Sequence, residues 1–450
     1  MKDSKEYLFE EMPIAKAVMK LSVPTVIGCL VMILYNLADT YFVGMINDPK
    51  ETAAVTLGAT VILAFNAVTN LFGVGASSLM SRALGIKDYD TFKKTSAFGF
   101  YCALFSAALF STAVFLLNRP LINLLGANEE NFAPTQSYLF WTVICGAVPA
   151  IVNVVLGNLV RSEGNALHAS IGTMSGCLLN IILDPFFILP WGLNMGASGA
   201  GLATFISNCF ACLYFFVMLF VKRSKTYVSI SFKDFKPNKY IVKEVFKVGI
   251  PASVQNLLNV TGMTVLNNAM AEFGSEAVAA IGIAHKTTMI PMYVSMGIGQ
   301  GVMPLVGYNY SSHNRKRMAD AIYCMAKVGL GFMLVACVGF YIFSPQIVSG
   351  FMDNTLIVEY GTAFMRALCL AQPFLAVDFM GVAIFQACGK GETSFVFAIL
   401  RKVVLEIPAI IVLNKIFPMY GLPYSQLVAE VVLATAAVIM VRKLIVNDAQ

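Results

Sequence analysis

KRSKTYVSISFKDFKPNKYIVKE, residues 222–244, is the longest polar and most basic stretch in a chain of 450 residues. On either side of it the sequence turns apolar: 58% of all residues are hydrophobic and only 12% are charged, against about 25% charged in an ordinary soluble domain. A helix needs about 20 apolar residues to cross roughly 30 Å of hydrocarbon. Segments of that kind occur six times before the stretch, at 17–43, 53–83, 95–117, 137–160, 168–189 and 196–221. Six more follow it, at 246–271, 277–308, 321–343, 361–385, 395–413 and 422–441. The reading is an all-α membrane protein of twelve transmembrane helices. Its domains are an N-terminal lobe at 1–221, a basic linker at 222–244 and a C-terminal lobe at 245–450.

The two halves match each other at an offset of about 224 to 227 residues. LSVPT around Pro24 pairs with VGIPA around Pro251, GVGASS from Gly73 with GIGQGV from Gly297, and the RSEGN turn at 161–165 with the QACGKGE turn at 386–392. They are six-helix copies that enter the membrane from the same side, which is the parallel-repeat plan of alternating-access transporters. Pro24, Pro149, Pro251, Pro291, Pro373 and Pro408 fall inside spans, where each removes a backbone donor and tends to kink its helix. Kinks of this kind serve either as bending points or as static packing features.

Lys and Arg set the orientation, because cytoplasmic loops carry the excess. One set of loops holds Arg82, Lys87, Lys93, Lys94, Arg161, Lys222, Arg223, Lys225, Arg315, Lys316, Arg317 and Lys390, with both termini on the same side. The other set holds Lys50, Arg119 and Lys415 and little else, so both termini are expected in the cytoplasm. The net charge of +6 reflects this bias and makes no case for nucleic acid. The first span is too long for a secretory signal and lacks a small-residue cleavage pattern. The ten cysteines lie in or next to apolar spans and give no disulfide framework, and Cys209 and Cys212 read as two packed small residues.

Ionisable groups inside spans are costly and mark functional sites by default. Counted along the spans at 1.5 Å per residue, Asp39 and Asp184 lie at similar depth in the outer half of the first lobe. Asn180, four residues before Asp184, shares its helix face, and Thr204 reaches the same level as the sixth helix descends. Two carboxylates brought into one desolvated site cannot both stay ionised cheaply, so such a cluster suits proton uptake and release near neutral pH. Its oxygens equally suit a hard monovalent cation. The plainer alternative is local: Asp39 caps a kink, and Asp184 hydrogen-bonds backbone freed by Pro185. The second copy has no acid opposite Asp39 and carries His285, Lys286, Asp378, Glu406 and Glu430 instead. There, Lys286 is expected to pair with one of the carboxylates, while Asp378 or Glu406 is the candidate for attracting a cationic substrate. The sequence shows no Ser/His/Asp arrangement with supporting motifs, no Walker A loop and no soluble nucleotide domain. These absences argue against an enzyme and against an ATP-driven pump, and leave an ion gradient as the energy source.

At these residues the chain resembles the multidrug and toxic compound extrusion (MATE) family, in its prokaryotic multidrug efflux branch. The resemblance is carried by YNLADTYFVG in the first helix, GVGASSLMSRALG in the second and RSEGNA after the fourth. LNIILDPFFI in the fifth, GASGAGLAT opening the sixth and GQGVMPLVGYNY in the eighth complete it, in order along essentially the whole chain. It implies two six-helix bundles forming a V-shaped cleft, and export of cationic amphipathic drugs and dyes against inward H+ or Na+. It further implies a cation site at Asp39, Asn180, Asp184 and Thr204, with Tyr35 and Asn153 lining the same pocket. A monomer in a bacterial inner membrane is expected, with no cofactor beyond the coupling ion, and no metal beyond Na+ at those four residues. Other branches place acids in the seventh, eighth and tenth helices, for which Asp378 is the counterpart here. The rival reading is a lipid-linked oligosaccharide flippase of the same superfamily, which calls for a strongly cationic cleft; Lys286 and Arg366 are the internal cations counted for it.

Overall fold

The computed structural model describes residues 4–352 and 354–447. Among them run twelve helical rods: α1 (Ile14–Gly44), α2 (Pro49–Gly85), α3 (Tyr89–Leu116), α4 (132–162), α5 (Ala166–Ile188), α6 (Gly196–Val221), α7 (Lys239–Ala271), α8 (Ser275–Ser311), α9 (Arg315–Phe351), α10 (Thr355–Ala387), α11 (391–416) and α12 (Tyr424–Asn447). Eight of these are long and apolar enough to cross a membrane on their own, and α4 joins them when its two bent parts are taken as one span. The remaining three, α7, α11 and α12, complete the twelve. Their exposed apolar side chains, such as Leu257, Val404 and Val432, are what lipid-facing helices require.

Local chemistry explains where the helices start and bend. Asp48 caps α2 by accepting from Lys50 N at 2.9 Å, with Pro49 at the first helical position, where its missing N–H costs nothing. Asp88 caps α3 by accepting from Thr91 N at 3.0 Å. Hydrogen bonds from Thr91, side chain first and then backbone, hold its carboxyl below the usual range. The sequence places a kink of α4 at Pro149; the structure breaks the rod by 46° at Gly146 instead. The reason is steric, since a proline ring collides with the carbonyl four residues before it, here Cys145.

The duplication is visible in the turns. Lys87 before α3 and His313 before α9 both have φ of 59°. The following residues, Asp88 and Asn314, cap their helices in the same way, Asn314 accepting from Arg317 N at 3.2 Å. Gly164 and Gly389, at the ends of α4 and α10, also share a left-handed φ, of 88° and 72°.

Packing divides the chain differently from the copies. One compact unit is Ile27–Ser253; the other joins Met1–Val26 to Val254–Gln450. The first part of α1 therefore belongs with the second half of the sequence, and the first part of α7 with the first half. Both changes of unit fall two residues after a helix proline, Pro24 and Pro251. Within the Met1–Val26 and Val254–Gln450 unit, Phe9 stacks on Tyr308 at 4.7 Å. There the Arg317 guanidinium donates to the carbonyls of Phe9, Leu8 and Met12, so the N-terminal turn is tied to the start of α9.

Candidate cation and substrate site

Three helices of the Ile27–Ser253 unit each present a polar pair four residues apart, which puts both members on one face. They are Tyr35 and Asp39 on α1, Asn180 and Asp184 on α5, and Thr204 and Asn208 on α6. Asp184 is fully buried, with the Asp39 carboxyl as its acidic neighbour. The amide of Asn180 satisfies both its neighbours when its nitrogen faces Asp184, donating to Oδ2 at 2.7 Å and Oδ1 at 3.3 Å. Its oxygen then accepts from Thr204 N at 3.1 Å. Tyr35 lies beside Thr204 and within electrostatic reach of Asp39, Asp184 and Tyr138.

The network continues into α4. Asn208 Nδ2 donates to the Thr204 carbonyl at 2.9 Å, and its oxygen accepts from Asn153 Nδ2 at 2.8 Å. Asn153 also donates to the carbonyls of Pro149 at 2.8 Å and Ala150 at 3.0 Å, beside the bend. A hydrogen-bonded path thus runs from Asn153 to Asp184, passing through the backbone of Thr204. Asn208 and Tyr138 are the members that sequence reasoning missed. The four-residue spacing from Thr204 is the signal that would have found Asn208. Tyr138 carries no such signal; its ring packs so tightly on α2 that a Cβ on Gly58 would lie 2.4 Å from it.

The plainer readings of the two acids meet a different geometry. α1 is an unbroken helix through Asp39, leaving no kink there to cap, and the Asp184 carboxylate is taken by the Asn180 side chain. With two carboxylates, an amide and two hydroxyls, the cluster offers oxygen ligands to a proton or a hard monovalent cation. Among the described residues, no group of three or more His, Cys, Asp or Glu is placed to hold a transition metal.

The second-half candidates do not assemble in this way. Asp378 on α10 is fully buried and paired with Arg401 of α11. Arg401 Nε also lies 3.4 Å from Glu430 Oε1 of α12, and its guanidinium covers the Phe379 ring at 4.6 Å. Lys402 Nζ bonds Glu406 at 2.6 and 2.8 Å, and His285 lies within its electrostatic reach. Lys286, expected as the partner of these acids, is exposed; Arg401 and Lys402 take that role. Arg366 donates to Ser344 Oγ at 3.1 Å and faces the Tyr341 ring. The internal cations counted from the sequence therefore omitted two, and both are neutralised in place.

The MatE family model matches residues 24–186 and 251–412, one match in each half. The chain belongs to the MatE family. Among its relatives is the "Multidrug export protein MepA" of Staphylococcus aureus (strain MRSA252), 34% identical over 443 residues and covering 98% of this chain and 96% of the relative. The protein of the same name from Staphylococcus saprophyticus is 33% identical over 442 residues with the same coverage. Among solved structures, an outward-facing multidrug resistance MATE transporter of the MOP superfamily superposes with a TM-score of 0.92 at 27% identity, over 99% of both chains. A MOP superfamily transporter from Pyrococcus furiosus, described as having a binding pocket of reverse polarity, gives 0.90 at 27% identity over 99% of this chain and 98% of that one. The matches fit a MatE fold of two homologous six-helix bundles.

Proposed function

We propose that this protein is a secondary multidrug exporter that moves cationic amphipathic compounds out of the cell against inward H+ or Na+. The observation that carries the coupling part is the convergence of Asp39, Asn180, Asp184 and Thr204 from three helices of one compact unit, with Asp184 fully enclosed. The multidrug part is carried by the MepA relatives, whose likeness spans the whole chain.

The coupling is a matter of linkage. A cation or proton at the cluster and a drug elsewhere each favour one conformation, and only that differential affinity lets one drive the other. Tyr35 and Asp39 place the cluster on α1, the helix that carries Pro24, so occupancy of the cluster biases the bend of that helix. Loading the cluster favours the outward-open state and weakens drug binding there. In this reading the protein lies in a bacterial inner membrane with both termini in the cytoplasm, acts as a monomer and needs no cofactor beyond the coupling ion. Asp378 is a neutralised partner of Arg401 in this scheme, while Tyr35 and Asn153 line the drug-facing side of the pocket.

The deciding experiment is ethidium efflux from reconstituted vesicles with a pH gradient and a Na+ gradient imposed separately. Efflux under one gradient alone names the coupling ion. Absence of efflux under both, with folded protein, overturns the exporter reading and favours a lipid-linked substrate.

A further inference from the structure

The linker is bound down along its length. Glu163, fully buried at the α4–α5 turn, accepts from Thr226 Oγ1 at 2.9 Å and from Tyr227 N at 3.0 Å. Tyr227 stacks on Tyr89 at 4.6 Å. Ser96 Oγ donates to the Ser229 carbonyl at 3.0 Å, and the Tyr101 hydroxyl to that of Ile230 at 2.9 Å, both from α3. Yet at the tip of this fixed segment Phe232 is 72% exposed, beside Tyr101 at 5.5 Å and Phe235 at 6.0 Å.

What covers Phe232 follows from where it sits. Tyr101 lies roughly 18 Å along α3 from its start at Tyr89. Phe105 and Leu109 continue the same helix face at four-residue steps and are 70% and 60% exposed. An exposed apolar stripe on a membrane-spanning helix faces lipid, and Phe232 caps its end. Along the same linker Arg223, Lys225, Lys233, Lys236 and Lys239 are all exposed. The acid among them, Asp234, is held by Ser229 Oγ at 2.5 Å. An exposed aromatic side chain on a fixed segment that is rich in exposed cations is the pattern of an interfacial anchor to negatively charged lipid.

We propose that the linker is a surface strap that binds anionic phospholipid, with Phe232 among the upper acyl chains and the basic side chains on the phosphates. It holds the Ile27–Ser253 unit at a defined level in the bilayer edge. The test is Phe232→Trp in vesicles of phosphatidylcholine alone or mixed with phosphatidylglycerol, read by emission and by quenching with brominated acyl chains. The parent protein, with its native Trp141 and Trp191, supplies the background to subtract. Blue-shifted emission is expected, with bromine quenching that is stronger in the anionic vesicles. High salt, or Lys233→Gln with Lys236→Gln, should remove the anionic increment. Emission typical of water, quenched by iodide and untouched by bromine, overturns the strap. Quenching equal in both lipids and indifferent to salt and to the lysines overturns the anionic partner.

Discussion

Asp184 has no exposed surface, and its carboxylate is met by one amide four residues back on the same helix. A group buried in this way serves as a switch only if its charge can change, and an amide in its place cannot change charge. Asp39→Asn is therefore expected to reduce ethidium efflux to background while the purified protein keeps a single symmetric peak in size-exclusion chromatography. Wild-type efflux by that variant would remove Asp39 from the mechanism. Asn208 makes a different case. Replacing it with Ala leaves Asn153 with its bonds to Pro149 and Ala150, so the fold survives. Two part-buried hydrogen bonds are lost, to the Thr204 carbonyl and from Asn153, costing about 1–3 kcal/mol together. A lower thermal midpoint together with weaker apparent drug affinity is expected; an unchanged affinity would make Asn208 a packing residue only. The four core residues were legible because acids are rare inside apolar spans and depth can be counted. Tyr138 was not, since a neutral polar side chain in a span raises no alarm unless depth or spacing ties it to an acid; Asn208 had that tie only through its four-residue step from Thr204. Arg401 and Lys402 were overlooked beside Glu406 within one apolar run, where each already had an acid in reach.

At the level of whole helices, close approach and caps decide the geometry that the site depends on. Gly58 on α2 leaves room for the Tyr138 ring of α4, and a methyl there would collide with it at 2.4 Å. Gly58→Ala is expected to destabilise by roughly 1–3 kcal/mol through overpacking, and Tyr138→Ala in the same chain should relieve part of that loss. Additive losses would mean that the two helices yield elsewhere. The Asp88 cap of α3 gives a pH signature. Because its carboxyl is held below the usual range in the folded protein, its contribution is complete above the ordinary carboxylate pKa of about 4. It is lost as pH falls through the lower folded value. Asp88→Ala should therefore lower the melting temperature at neutral pH and converge with the parent in acid. A constant gap across the range would place the cap's effect outside its charge. Asp88 and Asn314 stand at matched positions of the two copies, but only the first is able to show this dependence.

For the whole molecule, duplication and packing tell separate stories. The sequence repeats mark two copies of six helices, and turn geometry at Lys87 and His313 bears the duplication out residue by residue. They carry no hint that each copy lends its opening helical segment to the other unit, because matching residues record common descent and not who packs on whom. A chain cut at Pro237 tests the exchange. Either piece alone should be degraded or misfolded, and the two made together should restore efflux; a stable, monodisperse first piece on its own would contradict it. The same exchange has a consequence for manufacture. A ribosome working at roughly 5–20 residues per second delivers Val26 well before any residue of the unit that Val26 joins from Val254 onward. For on the order of ten seconds or more, the start of α1 waits in the membrane with its packing partners not yet made. In that interval lipid or the insertion machinery stands in as its neighbour, and its unit closes only once residues from Val254 onward are made.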